Sequence, residues 1–175
     1  PEVQAWRRAF SRMGLKPTQY RSASEALLRR YRKEGSLPQI HPLVDVCNAI
    51  SLAFATPIAV FDLSKVVARL EVRYATGEES YLAFSGETER PVAGEVIFAD
   101  ALARVHARRW TNRQSAYSAV NDATRAVLIV AEAMHDSGTL DMARLTEAVA
   151  AELQAIWSVS ARVHVLSASD PRFDL

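Results

Sequence analysis

The stretch from His41 to Asp62 constrains the fold more than any other part of the chain. Its first half has apolar residues every three or four positions, as in a helix with one apolar face. They are Leu43, Val46, Ile50 and Phe54. Pro57 cannot continue a helix, because it lacks an amide N–H and clashes with the preceding turn. The apolar run after it, Ile58 to Phe61, has the length of a strand. The stretch therefore predicts a buried helix that leads directly into a strand.

Asn48 lies in the middle of this predicted helix. Asparagine has a poor helix propensity, because its amide competes with the backbone for hydrogen bonds. A buried amide also needs a partner. Asn48 therefore either ties the helix to the strand or has a functional role, and the residue pattern leaves both interpretations open.

The rest of the chain alternates helices with short strands. Gln4–Met13 and Thr139–Trp157 have helical spacing. Ser22 and Glu25 have the spacing of a capping box, in which the serine accepts from a first-turn amide and the glutamate reaches back, so a helix is predicted to about Lys33. Strands are predicted at Leu70–Tyr74, Tyr81–Phe84, Glu95–Ala99, Ala103–Arg108, Val127–Val130 and Arg162–Leu166. This mixture indicates an α+β domain with a substantially antiparallel sheet.

The 175 residues, 49% of them hydrophobic, are enough to bury a core as one unit over residues 1–175. Because the sequence starts at Pro1 and not at a methionine, the sequence leaves open whether an N-terminal segment is missing. No apolar run approaches the length of a membrane span, and no secretory signal is visible. The single cysteine, Cys47, lies on the apolar helix face and is predicted to be a core residue of a cytoplasmic protein.

No motif for a metal, a nucleotide or a catalytic nucleophile is found in the sequence. The four histidines, at positions 41, 106, 135 and 164, are dispersed and lack the spacing of metal ligands. A glycine-rich phosphate loop, a nucleophile elbow and a zinc-protease helix are also absent. We therefore expect no metal and no cofactor.

Positive charge is concentrated at the start of the chain. Residues 1–33 hold nine lysines or arginines and two acidic residues, a balance of +7, whereas residues from 132 onward have a balance of −4. Such asymmetry is typical of a chain that binds a polyanion such as RNA. Solvated helix faces without a partner give the same pattern, and charge alone does not separate the two interpretations.

The segment RRWTNRQS, Arg108 to Ser115, is the other unusual stretch. Arginine presents a planar fork to carboxylates and phosphates, and tryptophan presents a flat face to a base or ring. The cluster therefore indicates a binding loop. The alternative is an exposed turn with Trp110 folded onto the core.

Several motifs resemble a known family. LVDVCN at Leu43–Asn48, with Pro57 and the pair Phe61-Asp62 after it, resembles the start of the editing domain in the beta subunit of bacterial phenylalanyl-tRNA synthetase. Asn121–Thr124 and the apolar run after it resemble a segment near the end of that domain. The chain is more similar still to free-standing relatives of the domain. The segments shared with them are Gly14–Ser22, Glu25–Arg30, Gly94–Phe98 and Arg108–Gln114.

The resemblance implies a curved, barrel-like, largely antiparallel sheet with packed helices. It also implies hydrolysis of the ester that joins a wrongly attached amino acid to the 3′ end of a tRNA. Because such an ester is already activated, a positioned water can supply much of the rate. Asn48 matches the family's pocket asparagine and is expected to be catalytic. The expected pocket residues are Ala59, Arg108, Arg109, Trp110, Asn112, Arg113 and Val130, and the expected RNA-binding residues are Lys16, Arg21, Arg29, Arg30 and Lys33.

Two positions depart from the pattern of the synthetase. Ala59 stands where the synthetase has a histidine, and Val130 stands where it has a glutamate that recognises the tyrosine hydroxyl. Because valine cannot hydrogen-bond to a phenol, specificity for tyrosine is not expected. The expected function is an aminoacyl-tRNA deacylase that acts in trans on another amino acid. The alternative is a non-catalytic module that binds tRNA or an amino acid. The sequence does not give the amino acid, the tRNA or the oligomeric state.

Overall fold

The computed structural model describes residues 1–174 and has the predicted α+β class. The helices are α1 (Glu2–Arg12), α2 (Ala23–Glu34), α3 (Pro42–Phe54) and α4 (Gly138–Trp157). The strands are β1 (Ile58–Asp62), β2 (Leu70–Tyr74), β3 (Ser80–Leu82), β4 (Thr88–Glu89), β5 (Val96–Asp100), β6 (Arg104–Arg108), β7 (Arg113–Gln114) and β8 (Val127–Ala131). None of the helices in these residues is long and apolar enough to cross a membrane.

The strands form two sheets. β1 and β8 make an antiparallel two-stranded ribbon, in which Ala59 pairs with Val130. The larger sheet has the order β2-β5-β6-β3-β4, with β7 paired to β6. Its pairs are antiparallel except that of β3 with β6. Backbone pairing does not join the two sheets within residues 1–174, so no closed barrel forms there and the barrel-like curvature stays unconfirmed.

The two faces of the ribbon contact different parts of the molecule, because successive side chains of a strand point to opposite faces. Val60 and Ile129 pack against α3 and α4. Ala59 and Val130 pack on the other face, against the cluster that contains Phe98 of β5. The ribbon is therefore a layer between the helices and the larger sheet. Ala59 and Val130 lie on the side that faces that sheet.

Asp62, at the end of β1, connects the Phe-Asp pair to the Asn-Asp-x-Thr segment. Its Oδ2 accepts a hydrogen bond from Thr124 Oγ1 at 2.8 Å, and its Oδ1 accepts from the amide of Ser64 at 2.9 Å. Burial acts to raise the pKa of Asp62, but these hydrogen bonds outweigh burial and lower it. The carboxylate thus joins β1 to the loop that leads into β8.

Ser22 caps α2 as the sequence predicts, because its Oγ accepts from the amide of Glu25 at 3.3 Å. The predicted return contact of Glu25 is wrong. Its carboxylate instead accepts two hydrogen bonds from Arg7 of α1, at 2.6 and 3.1 Å. Glu25 is buried, and a buried carboxylate needs a charged partner. Glu25 therefore holds α1 against α2.

The strand predicted at Arg162–Leu166 is also wrong. Residues 158–174 contain neither helix nor strand. On one face of the predicted strand Val163 is 50% exposed and Val165 is 43% exposed, and on the other face Leu166 is 55% exposed, so neither face is buried. Alternation specifies a strand only where a neighbour supplies hydrogen bonds and one face meets a core.

Asp100 is the main polar junction at the end of β5. It is buried and accepts hydrogen bonds from the backbone amides of Val67, Leu102 and Arg104. The side chains of Arg104 and His106 bond to it as well. Burial acts to raise the pKa of Asp100, but these partners outweigh burial and lower it to about 2.

We predict that Asp100→Asn lowers the free energy of unfolding at pH 7 by about 2 kcal/mol, the equivalent of its pKa shift. Because the folded-state pKa is depressed, this stabilisation is complete above the ordinary pKa of 3.8 and is lost as the pH falls towards 2. Urea denaturation from pH 7 to pH 2 should therefore show the variant and the wild type converging. Glu152→Gln, at an exposed carboxylate of α4, is the matched control and should follow the wild type. A constant difference between Asp100→Asn and wild type would contradict this role.

Candidate active site

The turn between β6 and β7 contains the arginine- and tryptophan-rich segment. Arg109 and Trp110 have positive φ angles of 46° and 56°. A residue with a side chain rarely adopts such angles, and each costs about 1–3 kcal/mol. The amide of Trp110 donates to the carbonyl of Val96 at 2.8 Å, which holds the turn against β5. The backbone strain is thus held in place by neighbouring structure.

Arg108 is buried under this turn and pairs with two carboxylates. Its Nε and Nη2 each donate to Glu95 at 2.9 Å, and its Nη1 donates to Glu89 at 2.6 Å. The amide of Arg109 also donates to Glu95, at 2.9 Å. Burial acts to raise the pKa of Glu95, but Arg108 outweighs burial and lowers it. The charge of Arg108 is thus balanced by protein carboxylates.

A narrow cavity opens between the turn and the ribbon, with about 60 Å³ of room for water-sized molecules. Five of the residues predicted for the pocket line it: Ala59, Trp110, Asn112, Arg113 and Val130. Pro57, Ile58 and Phe98 extend the apolar part of its wall. The cavity therefore brings together residues from distant segments of the chain, from Ala23 to Glu132.

Arg108 and Arg109 do not line this cavity. Arg109 instead lies over the ring of Tyr20, with its guanidinium carbon 4.7 Å from the ring centroid. That distance is within the range of a cation–π contact. The two arginines therefore support the turn, and their expected contact with substrate stays a prediction.

Trp110 links the helical core to the cavity. Its ring packs edge-on against Trp6 of α1, with centroids 5.3 Å apart and planes at 87°. Its Nε1 donates to Glu132 Oε1 at 2.9 Å. Trp110 is thus folded onto the core and also forms part of the cavity wall.

Glu132 follows β8 directly and is absent from the site residues expected from the sequence. Its half-buried side chain lines the cavity. Burial raises the pKa of Glu132 to about 7, although the hydrogen bond from Trp110 acts to lower it. The only feature of the sequence that could have indicated Glu132 as a site residue is its position directly after an apolar strand. Glu132 stands two positions beyond Val130, the spacing that places two side chains on one face.

The start of α2 closes one end of the cavity. Ala23 lines it, and the amide of Ala23 donates to the carbonyl of Thr111 at 2.8 Å. Asn112 Nδ2 donates to the carbonyl of Arg21, also at 2.8 Å. Thr111 Oγ1 is buried and has no hydrogen-bond partner among residues 1–174. One polar group in the cavity lining is thus left unsatisfied by the protein.

Asn48 does not lie with the other predicted pocket residues. It is half-buried on α3, which packs against the ribbon face opposite to Ala59 and Val130, and it does not line the cavity. Its side chain makes no hydrogen bond within the described chain. Ser51 ties the end of α3 to the next segment instead, since its hydroxyl donates to the carbonyl of Thr56 at 2.6 Å. The catalytic role of Asn48 stays a prediction.

One buried cluster has the residue types of a hydrolytic triad. His106 Nδ1 lies 2.8 Å from Ser118 Oγ, and its Nε2 lies 3.2 Å from Asp100. Burial lowers the pKa of His106, although Asp100 acts to raise it. His106 and Ser118 are both 0% exposed, and neither lines the cavity. A nucleophilic serine must reach its substrate, so this cluster is structural.

Within residues 1–174, the only group of metal-type ligands is Glu2, His135 and Asp141, whose ligand atoms lie within 4.8 Å of one another. Asp141 is already bonded in the protein, because its Oδ2 lies 2.8 Å from His135 Nε2 and accepts from Ser137 at 2.7 Å. These contacts account for the cluster without an ion.

The residues predicted to bind RNA have two kinds of environment. Lys16, Arg29, Arg30 and Lys33 are exposed. Arg21 is half-buried, donates to the carbonyl of Thr18 and lies 3.6 Å from Glu25. Arg21 thus has a structural task in the loop before α2. Of the four exposed residues, only Arg30 forms an ion pair within residues 1–174, with Glu34 at 2.8 Å.

Comparison with known proteins identifies the family. The B3/4 domain matches residues 5–150. The chain belongs to the B3/4 domain family. It is similar to phenylalanine–tRNA ligase beta subunits, with 34% identity over 103 residues to that of Coxiella burnetii, covering 59% of this chain and 13% of the subunit. The subunit of Shewanella oneidensis is 26% identical over 120 residues, covering 66% of this chain and 14% of the subunit. The chain therefore spans a small part of these relatives.

We predict that Arg108→Leu destabilises this B3/4 domain by about 3–5 kcal/mol, because Glu95 and Glu89 would lose the partner that balances them. Arg109→Leu, which removes the neighbouring arginine and its contact with Tyr20, should cost about 1 kcal/mol or less. Chemical denaturation at pH 7 measures both free energies of unfolding. Equal losses for the two variants would show that Arg108 does not have the special structural role inferred here.

Proposed function

We propose that this B3/4 chain is an aminoacyl-tRNA deacylase that acts in trans and hydrolyses the ester of an amino acid other than tyrosine. The observation that carries the proposal is the cavity lined by Ala59, Trp110, Asn112, Arg113 and Val130. Ala59 and Val130 match positions in the editing pocket of the synthetase, and Trp110, Asn112 and Arg113 belong to the segment that the chain shares with free-standing relatives of that domain. The tRNA ligase relatives support tRNA as the partner.

The shape and lining of the cavity support a small, apolar amino-acid side chain as the group it accepts. The side chains of Val130 and Ala59 cannot form a hydrogen bond with a phenol, and Phe98 adds to the same apolar part of the lining. The room of about 60 Å³ is also small for an aromatic ring. The apolar part of the lining favours an apolar side chain, and a tyrosine hydroxyl that faced Ala59 and Val130 would find no hydrogen-bond partner there.

The position of α2 supports binding of tRNA next to the cavity. The helix begins there with Ala23 and carries the exposed residues Arg29, Arg30 and Lys33 further along. A rise of 1.5 Å per residue puts Lys33 roughly 15 Å from the cavity along the helix. A tRNA end with its ester in the cavity would bring backbone phosphates near these charges.

The second candidate is a non-catalytic module that binds the same tRNA end. Two observations favour it: Ala59 has no group that could move a proton, and Asn48 is outside the cavity. Both candidates use the same cavity and the same charged helix. The two candidates differ in whether the chain hydrolyses the ester of an aminoacyl-tRNA.

A panel of aminoacyl-tRNAs tests the proposed function. We expect the purified chain to release at least one amino acid with a small apolar side chain faster than the spontaneous rate, and to leave tyrosyl-tRNA intact. Release of labelled amino acid measures this, with buffer alone as the reference. Binding without acceleration of any ester would favour the module. Preferential hydrolysis of tyrosyl-tRNA would contradict the proposed selectivity.

Reversal of charge on α2 tests the RNA surface. We predict that changing Arg29, Arg30 and Lys33 to Glu weakens tRNA binding and reduces its dependence on salt, because fewer counterions are released. Filter binding at several salt concentrations measures both effects. The matched control changes three other exposed arginines to Glu: Arg90, Arg125 and Arg172. Equal weakening in the two triple variants would mean that net charge, and not this helix, determines binding.

A further inference from the structure

Two polar groups of the cavity have unused hydrogen-bonding capacity. Glu132 Oε1 accepts from Trp110, but Glu132 Oε2 has no partner among residues 1–174. Thr111 Oγ1, in the same lining, is buried and unpartnered within the described chain. Glu132 Oε2 is not among the buried unpartnered atoms, so it is accessible to water or to a polar ligand in the cavity.

We propose that Glu132 is the general base that activates water for ester hydrolysis in this cavity. This inference rests on the proposed deacylase function and supplies a proton acceptor that neither Ala59 nor Val130 can provide.

The carboxylate is held in a defined orientation by the turn. Trp110 donates to Oε1 at 2.9 Å. Trp110 is itself fixed by packing against Trp6 and by the hydrogen bond from its backbone amide to the carbonyl of Val96. A base whose position is fixed before the substrate arrives needs little reorganisation during the reaction. Holding the Trp110 ring in this position requires strained, positive φ angles at Arg109 and Trp110.

The reaction balances without a further reactant. Glu132 Oε2 accepts a proton from water as the water oxygen bonds to the ester carbonyl carbon. The bond between that carbon and the ribose oxygen then breaks, and the proton passes from the Glu132 carboxylic acid to the ribose oxygen. One water is consumed, and a free amino acid and a tRNA with a free 3′ end are formed.

The electrostatic surroundings suit a base that works near neutral pH. Burial raises the pKa of Glu132 to about 7, where a carboxylate accepts a proton more readily than at its ordinary pKa. Arg113 is the other charged side chain in the cavity lining, and it pairs with Glu89 at 3.3 Å. The remaining side chains that line the cavity are neutral.

Glu132→Gln is the decisive variant, because glutamine keeps an oxygen for Trp110 and cannot accept the proton. On an aminoacyl-tRNA that the wild type hydrolyses, we expect the variant to lose about 100-fold or more in kcat, with KM little changed. The wild-type rate should rise with pH through about 7 and then level off, since only the carboxylate form is active. The variant should lack this inflection once spontaneous hydrolysis is subtracted. Glu147→Gln, at an exposed position of α4, is the charge-matched control and should behave as wild type.

The outcomes distinguish the two proposals. A wild type that hydrolyses no aminoacyl-tRNA overturns the deacylase function and the base together. A wild type that hydrolyses one, with an equal rate and pH profile in Glu132→Gln, overturns the role of Glu132 alone. A folded, tRNA-binding Glu132→Gln protein that has lost turnover and the inflection supports the role, and thermal unfolding verifies that it is folded.

Discussion

The geometry of the candidate site depends on the ion pair between Glu95 and Arg108. Glu95 directly precedes β5 and Arg108 ends β6, so their two hydrogen bonds of 2.9 Å lock neighbouring strands where the chain must turn. The same carboxylate accepts a hydrogen bond from the amide of Arg109, the first of the two residues in this turn that have a positive φ. Because a buried carboxylate without a partner is costly, this contact is hard to break and the turn stays in its strained form. Trp110 is therefore presented to the cavity in one position.

Two glutamates close to this turn have the same side chain but opposite pKa shifts, because their surroundings differ. Glu95 receives an arginine and a backbone amide, and these lower its pKa and keep it charged. Glu132 receives one neutral indole N–H in an apolar wall, and burial raises its pKa. Titratable groups whose pKa values are pushed apart in this way commonly divide structural and chemical work. Here the first holds the backbone and the second faces the cavity.

Much of this architecture follows from local sequence patterns, and the exceptions have physical causes. Pro57 and the apolar spacing before it predict α3 and β1 well, because both signals are local. The role of Glu25 is not predictable in this way, since its partner Arg7 is 18 positions away on another helix. The segment Arg162–Leu166 alternates like a strand, but alternation does not supply a neighbouring strand. The local pattern does not mark Glu132 as a site residue, because its environment is created by residues from distant segments. The motif around Asn48 does not specify which side of the ribbon its helix covers.

The alternation of side chains along β1 and β8 has a consequence for how such a chain can diverge. Val60 and Ile129 support the helices, whereas Ala59 and Val130, adjacent to them in sequence, border the cavity. Natural selection can therefore change one set of positions while leaving the other intact. A duplicated copy can acquire a new substrate preference through the cavity-facing positions without first rebuilding its core. The resemblance to the synthetase predicts changes of this kind at Ala59 and Val130, which it matches to a histidine and a glutamate.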